Sequence, residues 1–385
     1  MKSNKVLLGL FVGILTLGGG VVSAQYSFHE VGPSNVGGHI SSLVVDERDE
    51  SHSTIYAGAI SGGLFVRSEN DEILSQLYSN IGRDASLAEN HNTWHEVPCV
   101  IDGKRTTLPI TTMVQGTDNI LYIGTGDNTY AVGSMYGRMS MLGKGVYRYD
   151  PETSTFTLIG GTKPTSLDHD FAAVKQLSCI SRDGKFYLFA VTGNGLYRWV
   201  VNTSADWGST TPTRVFSGEI GDMKIVSARR VAYFSVGNQL YKIGDVTSAT
   251  LGSQNCINIS SSNSAFGGDN VGIKLATSVT DPSYLYAMVI DSNGRMENLY
   301  LSTNEQTWTT LTTSTVVPMT TGTGMLCGAM TVDPGNPKHI YIGGSTIWDG
   351  EGHIDGAYYQ WTKSSYSEVE LNYGDYMGSV FNNLM

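Results

Sequence analysis

One order of elements recurs along this chain roughly every 50 residues, and periods of that length signal repeat architectures. The clearest copies are HISSLVVDERDESHSTIYAGAISGGLFVRS from His39, AAVKQLSCISRDGKFYLFAVTGNGLYRW from Ala172, GIKLATSVTDPSYLYAMVIDSNGRMENLYLS from Gly272 and LCGAMTVDPGNPKHIYIGGSTIWDGEGHIDGAYYQW from Leu326. Each holds a small or apolar strand, an Asp-containing turn, an aromatic strand of the IYAG type, a glycine turn and a third strand such as GLFVRS. Weaker copies are ITTMVQGTDNILYIGTGDN with GKGVYRYD, and DMKIVSARRVAYFSVGNQLYKIG.

Short runs of Val, Ile, Tyr and Phe joined by Asp, Asn, Gly and Pro turns make antiparallel meanders. One four-stranded meander cannot bury both of its faces, so copies must pack on one another. Radial packing leaves only short, protected edges, and the chain is therefore predicted to be all-β, a β-propeller of four-stranded blades. An open β-solenoid has shorter rungs than this period. Blades are expected near residues 37–100, 108–162, 170–218, 219–262, 268–315 and 324–373. A seventh begins at GDYMGSVFNNLM, while YSFHEVGP, Tyr26 to Pro33, reads as an outer strand left at the N-terminus. The expectation is a seven-bladed propeller whose last blade is incomplete in this chain, with six blades closed by other means as the alternative. Small residues in the first strand of each copy, such as SSL and CGAM, suit a crowded inner position.

Composition agrees: 46 glycines and 21 tyrosines accompany few long charged residues, as many short strands with glycine turns require. A net charge of -11 argues against a nucleic-acid partner, whose binding surface needs clustered Lys and Arg, and against an anionic membrane. The first residues carry two lysines, an apolar run from Val6 to Leu17 and small residues ending in VSA, the pattern of a cleavable secretory signal over residues 1–24. The run falls short of the roughly 20 residues of a span, and no later stretch is long or apolar enough for one. Residues 25–385 are thus expected to form a single exported domain without a transmembrane segment, in the periplasm, on the outer-membrane surface or outside the cell. Cys99, Cys179, Cys256 and Cys327 have no zinc-type spacing. Cys179 and Cys327 sit in apolar runs and are expected as buried free thiols.

The segment VGPSNVGGHISSLVVDERDESHSTIYAGAISGGLFVRS resembles the opening blade of bacterial propellers with sialidase-type (BNR, or Asp-box) repeats. That family includes the xyloglucanase-type glycoside hydrolases, sortilin-like receptors and the photosystem II stability factor. The GPSNVGG start is also similar to that of many exported proteins of bacteria with a type IX secretion system. STNEQTW, Ser302 to Trp308, is a degenerate Asp-box with Asn304 at the acidic position, and blade one carries another interrupted between RSEN and NTWHEV. The resemblance implies that these boxes are structural and that Trp94 and Trp308 are core residues. In the xyloglucanase-type enzymes one catalytic Asp stands two positions ahead of paired glycines. Here the paired glycines are Gly62 and Gly63, and that place holds Ile60, which moves no proton. The two carboxylates of glycoside hydrolysis are not supplied at this position, and no arginine motif supports sialidase chemistry.

Two second-to-third-strand connections are long: Gly126 to Gly145, and Gly343 to Tyr359. Long loops on a rigid scaffold are where function tends to sit. The first offers Tyr130, Tyr136 and Arg138 among methionines, a composition suited to a protein or sugar surface. The second offers Trp348 and Tyr358. It also places Asp349, Glu351, His353 and Asp355 within seven residues; Asp349, Glu351 and Asp355 could hold Ca2+, without the spacing of an EF-hand. A solvated acidic loop is the plainer reading. If the chain is a hydrolase, Asp127, Asp349, Glu351 and Asp355 are its candidate carboxylates. The insertion after Asn70 predicts a short amphipathic helix from Asp71 to Tyr78, either covering the blade edge or contacting a neighbour. The scattered histidines, and the absence of a nucleophile elbow or P-loop, add no chemistry. The expectation is an exported, non-enzymatic propeller presenting a loop face to a protein or glycan. A divergent β-glucan hydrolase and an assembly component of a secretion or surface apparatus are the alternatives.

Overall fold

The computed structural model describes residues 40–84, 93–126, 142–166, 168–202, 206–260, 263–268, 270–311, 328–348 and 354–362, with backbone alone for 264, 343–348 and 354–362. The first meander consists of β1 (Ile40–Val45), β2 (Ile55–Ala59), β3 (Gly63–Arg67) and, after helix α1 (Asp71–Asn80), β4 (His95–Val97). A two-stranded hairpin, β5 (Val100–Ile101) and β6 (Lys104–Arg105), leads to the second: β7 (Ile110–Gln115), β8 (Leu121–Thr125), β9 (Val146–Asp150) and β10 (Thr155–Leu158). The third holds β11 (Val174–Arg182), β12 (Lys185–Thr192), β13 (Gly195–Asn202) and β14 (Thr213–Ser217). The fourth holds β15 (Met223–Val226), β16 (Val231–Val236), β17 (Gln239–Ile243) and β18 (Cys256–Asn258). The fifth holds β19 (Asn270–Thr277), β20 (Leu285–Asp291), β21 (Met296–Ser302) and β22 (Thr309–Thr310). The last described sheet has β23 (Ala329–Asp333), β24 (Asn336–Trp348) and β25 (Ile354–Thr362).

Every sheet runs its strands in chain order, antiparallel throughout, and consecutive sheets pack face to face. This is a β-propeller of four-stranded blades. The six sheets fall inside the six windows predicted from the repeat; the GDYMGSVFNNLM start of a seventh blade, and residues 26–33, lie outside the described residues.

Second strands are sandwiched, and their side chains alternate between two cores as a period of two dictates. On β12, Phe186, Leu188 and Ala190 face blade 2 with Tyr122 and Val146, whereas Tyr187, Phe189 and Val191 face blade 4 with Met223 and Phe234. β20 does the same: Leu285, Ala287 and Val289 turn to blade 4, and Tyr286, Met288 and Ile290 to blade 6. The recurring glycine of the IYAG strand has a packing reason. A Cβ on Gly58 would run into Ile110 of the next blade, and one on Gly124 would sit 2.6 Å from Val174 of the blade after.

The small residues of the inner strands do more than save space. Ser41 donates its hydroxyl to the Ile110 carbonyl at 2.6 Å, and Ser42 accepts the Met113 N–H at 2.9 Å. One blade on, Thr111 donates to the Val174 carbonyl at 2.5 Å and Thr112 accepts the Leu177 N–H at 3.1 Å. Gln176 performs both tasks on Met223, at 2.7 and 3.0 Å. Between blades 4 and 5, Ser235 donates to the Ile273 carbonyl at 2.8 Å and Asp222 accepts the Leu275 N–H at 2.8 Å. Each inner strand would otherwise present a row of unpaired backbone groups, costly once buried. In blades 2 to 5, side chains of the preceding blade satisfy one carbonyl and one N–H of that row.

Helix α1 covers the predicted residues and runs two further. Asn70 caps it, accepting the Glu72 N–H at 3.0 Å, and Asp71 and Glu72 complement the positive end of its dipole. Leu74, Leu77 and Tyr78 enter the core between blades 1 and 2. Gln76 and Asn80 donate to the Glu152 carbonyl of the β9–β10 turn, so the helix covers the outer end of that seam. Trp94 is buried against Ala57, Ala59 and Phe65, and Trp308 packs edge-on against Phe266, their centroids 4.9 Å apart. The degenerate box works as a turn: Asn304 accepts the N–H groups of Gln306 and Thr307 at 2.9 and 2.8 Å. Cys99, Cys179 and Cys256 are free thiols, the first buried and the others half-buried; Cys327 lies outside the described residues. No helix among the described residues is long and apolar enough to cross a membrane.

Candidate functional site

The β2–β3 connection is closed. Residues 60–62 form the turn, Ala59 pairs with Gly63, and Gly63 takes a φ of 86°. Ile60 is half-buried there. The nearby Glu96 on β4 is engaged by Arg105 at 2.6 Å.

The corresponding connection of blade 2 is built differently. Its stem begins at Thr125, fully buried, whose hydroxyl donates to the Gly145 carbonyl at 2.6 Å and accepts the Lys144 N–H at 2.8 Å. Gly126 has a φ of 92°, and a Cβ there would strike the Ala172 carbonyl and sit 2.6 Å from Gly143. Gly143 in turn donates its N–H to that same carbonyl at 2.8 Å. The stem is thereby locked onto the segment that leads from blade 2 to blade 3.

Beside it opens a pocket of about 330 Å³ lined by Ile101, Lys104 and Thr106 from the connection between blades 1 and 2, by Gly143, Lys144 and Tyr147 from the stem, and by Lys163 and Pro164 from the connection between blades 2 and 3. Second-to-third-strand and interblade connections do share one face here. Lys144 donates to the Thr106 hydroxyl at 2.5 Å and to the Thr107 carbonyl at 3.0 Å, tying the hairpin to the stem. Lys104 and Lys163 are exposed, and none of the three lysines forms an ion pair with a described residue. Tyr147 is buried; burial first, then the fields of Cys99 and Asp102, push its hydroxyl up to about 12, so it stays a neutral donor. Burial also pushes the adjoining Cys99 thiol up to about 12, which keeps it protonated and unreactive.

Of the residues singled out by sequence, Asp127, Tyr130, Tyr136, Arg138, Asp349, Glu351 and His353 lie outside the described residues. Trp348 ends β24, while Asp355 and Tyr358 belong to β25, paired with Ile347 and Gly343. The run from Gly343 to Tyr359 is therefore not one long loop: only 349–353 separate two extended strands. The β-branched and aromatic residues of STIW and AYYQW favour continuation of the hairpin over a loop. Among the described residues no group of three or more His, Cys, Asp or Glu is placed to hold a metal ion.

The described carboxylates serve turns and seams. Burial pushes the Asp49 carboxyl upward, but the hydroxyls and N–H groups of Ser51, Thr54 and Ser53 outweigh it and hold it well below the usual range. The same contest lowers Asp245 through Thr247 and Asp333 through Tyr341 and the backbone of Gly335 and Asn336. Glu305 is lowered, against burial, by Lys242, Tyr233 and Arg229, the lysine at 2.5 Å. Asp281 is lowered by the Ser283 hydroxyl and N–H. Asp49, Asp245, Asp281, Glu305 and Asp333 are thus all displaced away from the direction a general acid requires.

The β-propeller is the class of protein this architecture defines. Among solved structures, the chain is similar to U3-55K, with 11% identity over 87% of this chain and 81% of that one at a TM-score of 0.47. It is similar also to an ancestral GH74 enzyme, with 13% identity over 86% of this chain at a TM-score of 0.49, and to the GH74 enzyme of Niastella koreensis, with 14% identity over 88% at 0.43. The chain spans 38% and 59% of those two enzymes. No protein-family model and no curated protein matches it.

Proposed function

We propose that this chain is an exported binding propeller of the sialidase-type (BNR, Asp-box) kind, freed of its first 24 residues on export, that presents its loop face to a protein or glycan at the cell surface or in the periplasm without catalysing a reaction. The observation that carries the reading is the pocket built from three connections and lined, among the described residues, by no carboxylate. A concave site with a few polar groups and buried aromatic wall is what small ligands occupy. Ile60 at the place of the family's catalytic Asp, and the downward displacement of Asp49, Asp245, Asp281, Glu305 and Asp333, support binding over hydrolysis. The GPSNVGG start and the leader support export through a route of the type IX kind.

The test incubates the purified protein with soluble β-glucans and other cell-wall polysaccharides, reading reducing ends and retardation in affinity electrophoresis together. Retardation by at least one polysaccharide without new reducing ends is expected. Release of reducing ends that disappears in Asp127→Asn or Asp349→Asn would overturn the reading in favour of a hydrolase.

A further inference from the structure

Several basic side chains of the described residues answer to a carboxylate: Arg48 to Asp46, Arg105 to Glu96, Lys175 to Glu219, Arg229 and Lys242 to Glu305. In a chain of net charge -11, acids are plentiful enough for that. The pocket gathers three basic side chains that pair with no described carboxylate. Lys104, Lys144 and Lys163 come to it from three separate connections, and among the described residues its lining brings no acid with them. The carboxylate nearest in chain, Asp102 at the tip of the β5–β6 hairpin, is exposed and acts electrostatically on Tyr147 while pairing with none of the three. Like charges gathered around a cavity repel, and an anion entering it removes that repulsion while gaining charge-assisted hydrogen bonds.

The remaining walls narrow the ligand. Tyr147 is buried with a neutral hydroxyl, Pro164 and Ile101 supply apolar surface, and Thr106 adds a hydroxyl. A volume of about 330 Å³ is more than a bare inorganic anion fills, and lies at the small end of ligand pockets. Lysines rather than arginines make the charge, so the site offers mobile point charges and no planar fork. We infer that the pocket receives the carboxylate of an acidic sugar unit, with the pyranose against Tyr147 and Pro164 and the carboxylate among Lys104, Lys144 and Lys163. This inference rests on the binding reading above and names the class of glycan.

The experiment is calorimetric titration of the protein with a uronate trisaccharide, a neutral trisaccharide of equal length, and sodium sulfate. Binding of the uronate alone is expected, weakening as salt rises. Lys104→Gln and Lys163→Gln should each weaken it about tenfold or more, the size of a lost charge-assisted contact. Both side chains are exposed, so melting temperatures should hold. Bound uronate should also shield Lys104 and Lys163 from acetylation, read by mass spectrometry. Equal affinity for the neutral trisaccharide, or indifference to the double substitution, overturns the inference; sulfate binding as tightly as the uronate overturns its sugar component. Retention by neutral polysaccharides with no uronate binding defeats the acidic-sugar inference and leaves the binding reading standing, whereas hydrolysis lost in Asp127→Asn defeats that reading itself.

Discussion

Blades 1 and 2 are built to one plan and part company at a single connection. In each, the inner strand pairs with a second strand at the same register: Ile40 opposite Ala59 in one, Ile110 opposite Thr125 in the other. After Ala59 the chain turns back within residues 60–62; after Thr125 residues 126–145 stand between β8 and β9. The short turn needs nothing from its last strand residue, and alanine stands there. The long connection has its two ends clasped, the Thr125 hydroxyl holding Gly145 and Lys144 together as Thr192 does, at greater distances, across the short turn of blade 3. A propeller thus keeps its strands and changes its connections, and the chemistry of the face follows the connection.

The two blades also differ in their Asp turns. Asp49 gathers both the N–H and hydroxyl groups of Ser51, Ser53 and Thr54, whereas Asp118 accepts the Tyr122 hydroxyl at 2.8 Å and faces Arg148 at 3.8 Å. The largest effect is expected at Asp49. Its folded-state pKa lies below the unfolded value of about 3.9, so its stabilisation is complete above that value and is lost as the pH falls through it toward the folded pKa. Urea midpoints measured from pH 7 to pH 2 should show Asp49→Asn less stable at neutral pH and less sensitive to acid than the parent. A variant as acid-sensitive as the parent would remove Asp49 from the account.

Next come two glycines of the contrasting connections, Gly126 at the start of one and Gly63 at the end of the other. Gly126→Ala combines a positive φ with collision against backbone and should cost about 3 kcal/mol. Gly63→Ala has the positive φ alone, its nearest new neighbour being the Thr107 methyl at 3.6 Å, and should cost about 1 kcal/mol. Equal losses in chemical denaturation would erase the distinction between the two turns. Thr125→Val keeps the shape and leaves the Lys144 N–H and Gly145 carbonyl without their partner, a loss of about 2 kcal/mol. It should also weaken any ligand held by Lys144, measured by the same titration.

The blades were legible in sequence because strand period, aromatic strands and Asp or Gly turns are local signals repeated in register. Helix α1 was legible from the amphipathic pattern of Asp71 to Tyr78, which is local too, and the structure adds the Asn70 cap and the burial of Leu74, Leu77 and Tyr78. The inner-strand hydroxyls were visible only as small residues, since their partners, such as Ser41 and Ile110, stand a blade apart in the chain. The lysine pocket left no motif: Lys104, Lys144 and Lys163 are met singly along the sequence and share a site only because three connections open on one face. One clue was available, the GKG that closes the long connection, where glycines flank a charge in a chain otherwise sparing of it. At Gly343 the converse holds: glycine and Asp residues point to a loop, and a hairpin continues there.

The joints between blades have a direction. Ser41 and Ser42, Thr111 and Thr112, Gln176, and Asp222 with Ser235 all reach forward in the chain, and the backbone they meet is that of the next inner strand. Blades 2, 3 and 4 therefore each carry a plug on one side and a socket on the other. A gene segment copied in tandem would encode a new blade that already fits the one before it and the one after, so lengthening by duplication requires no simultaneous invention of an interface.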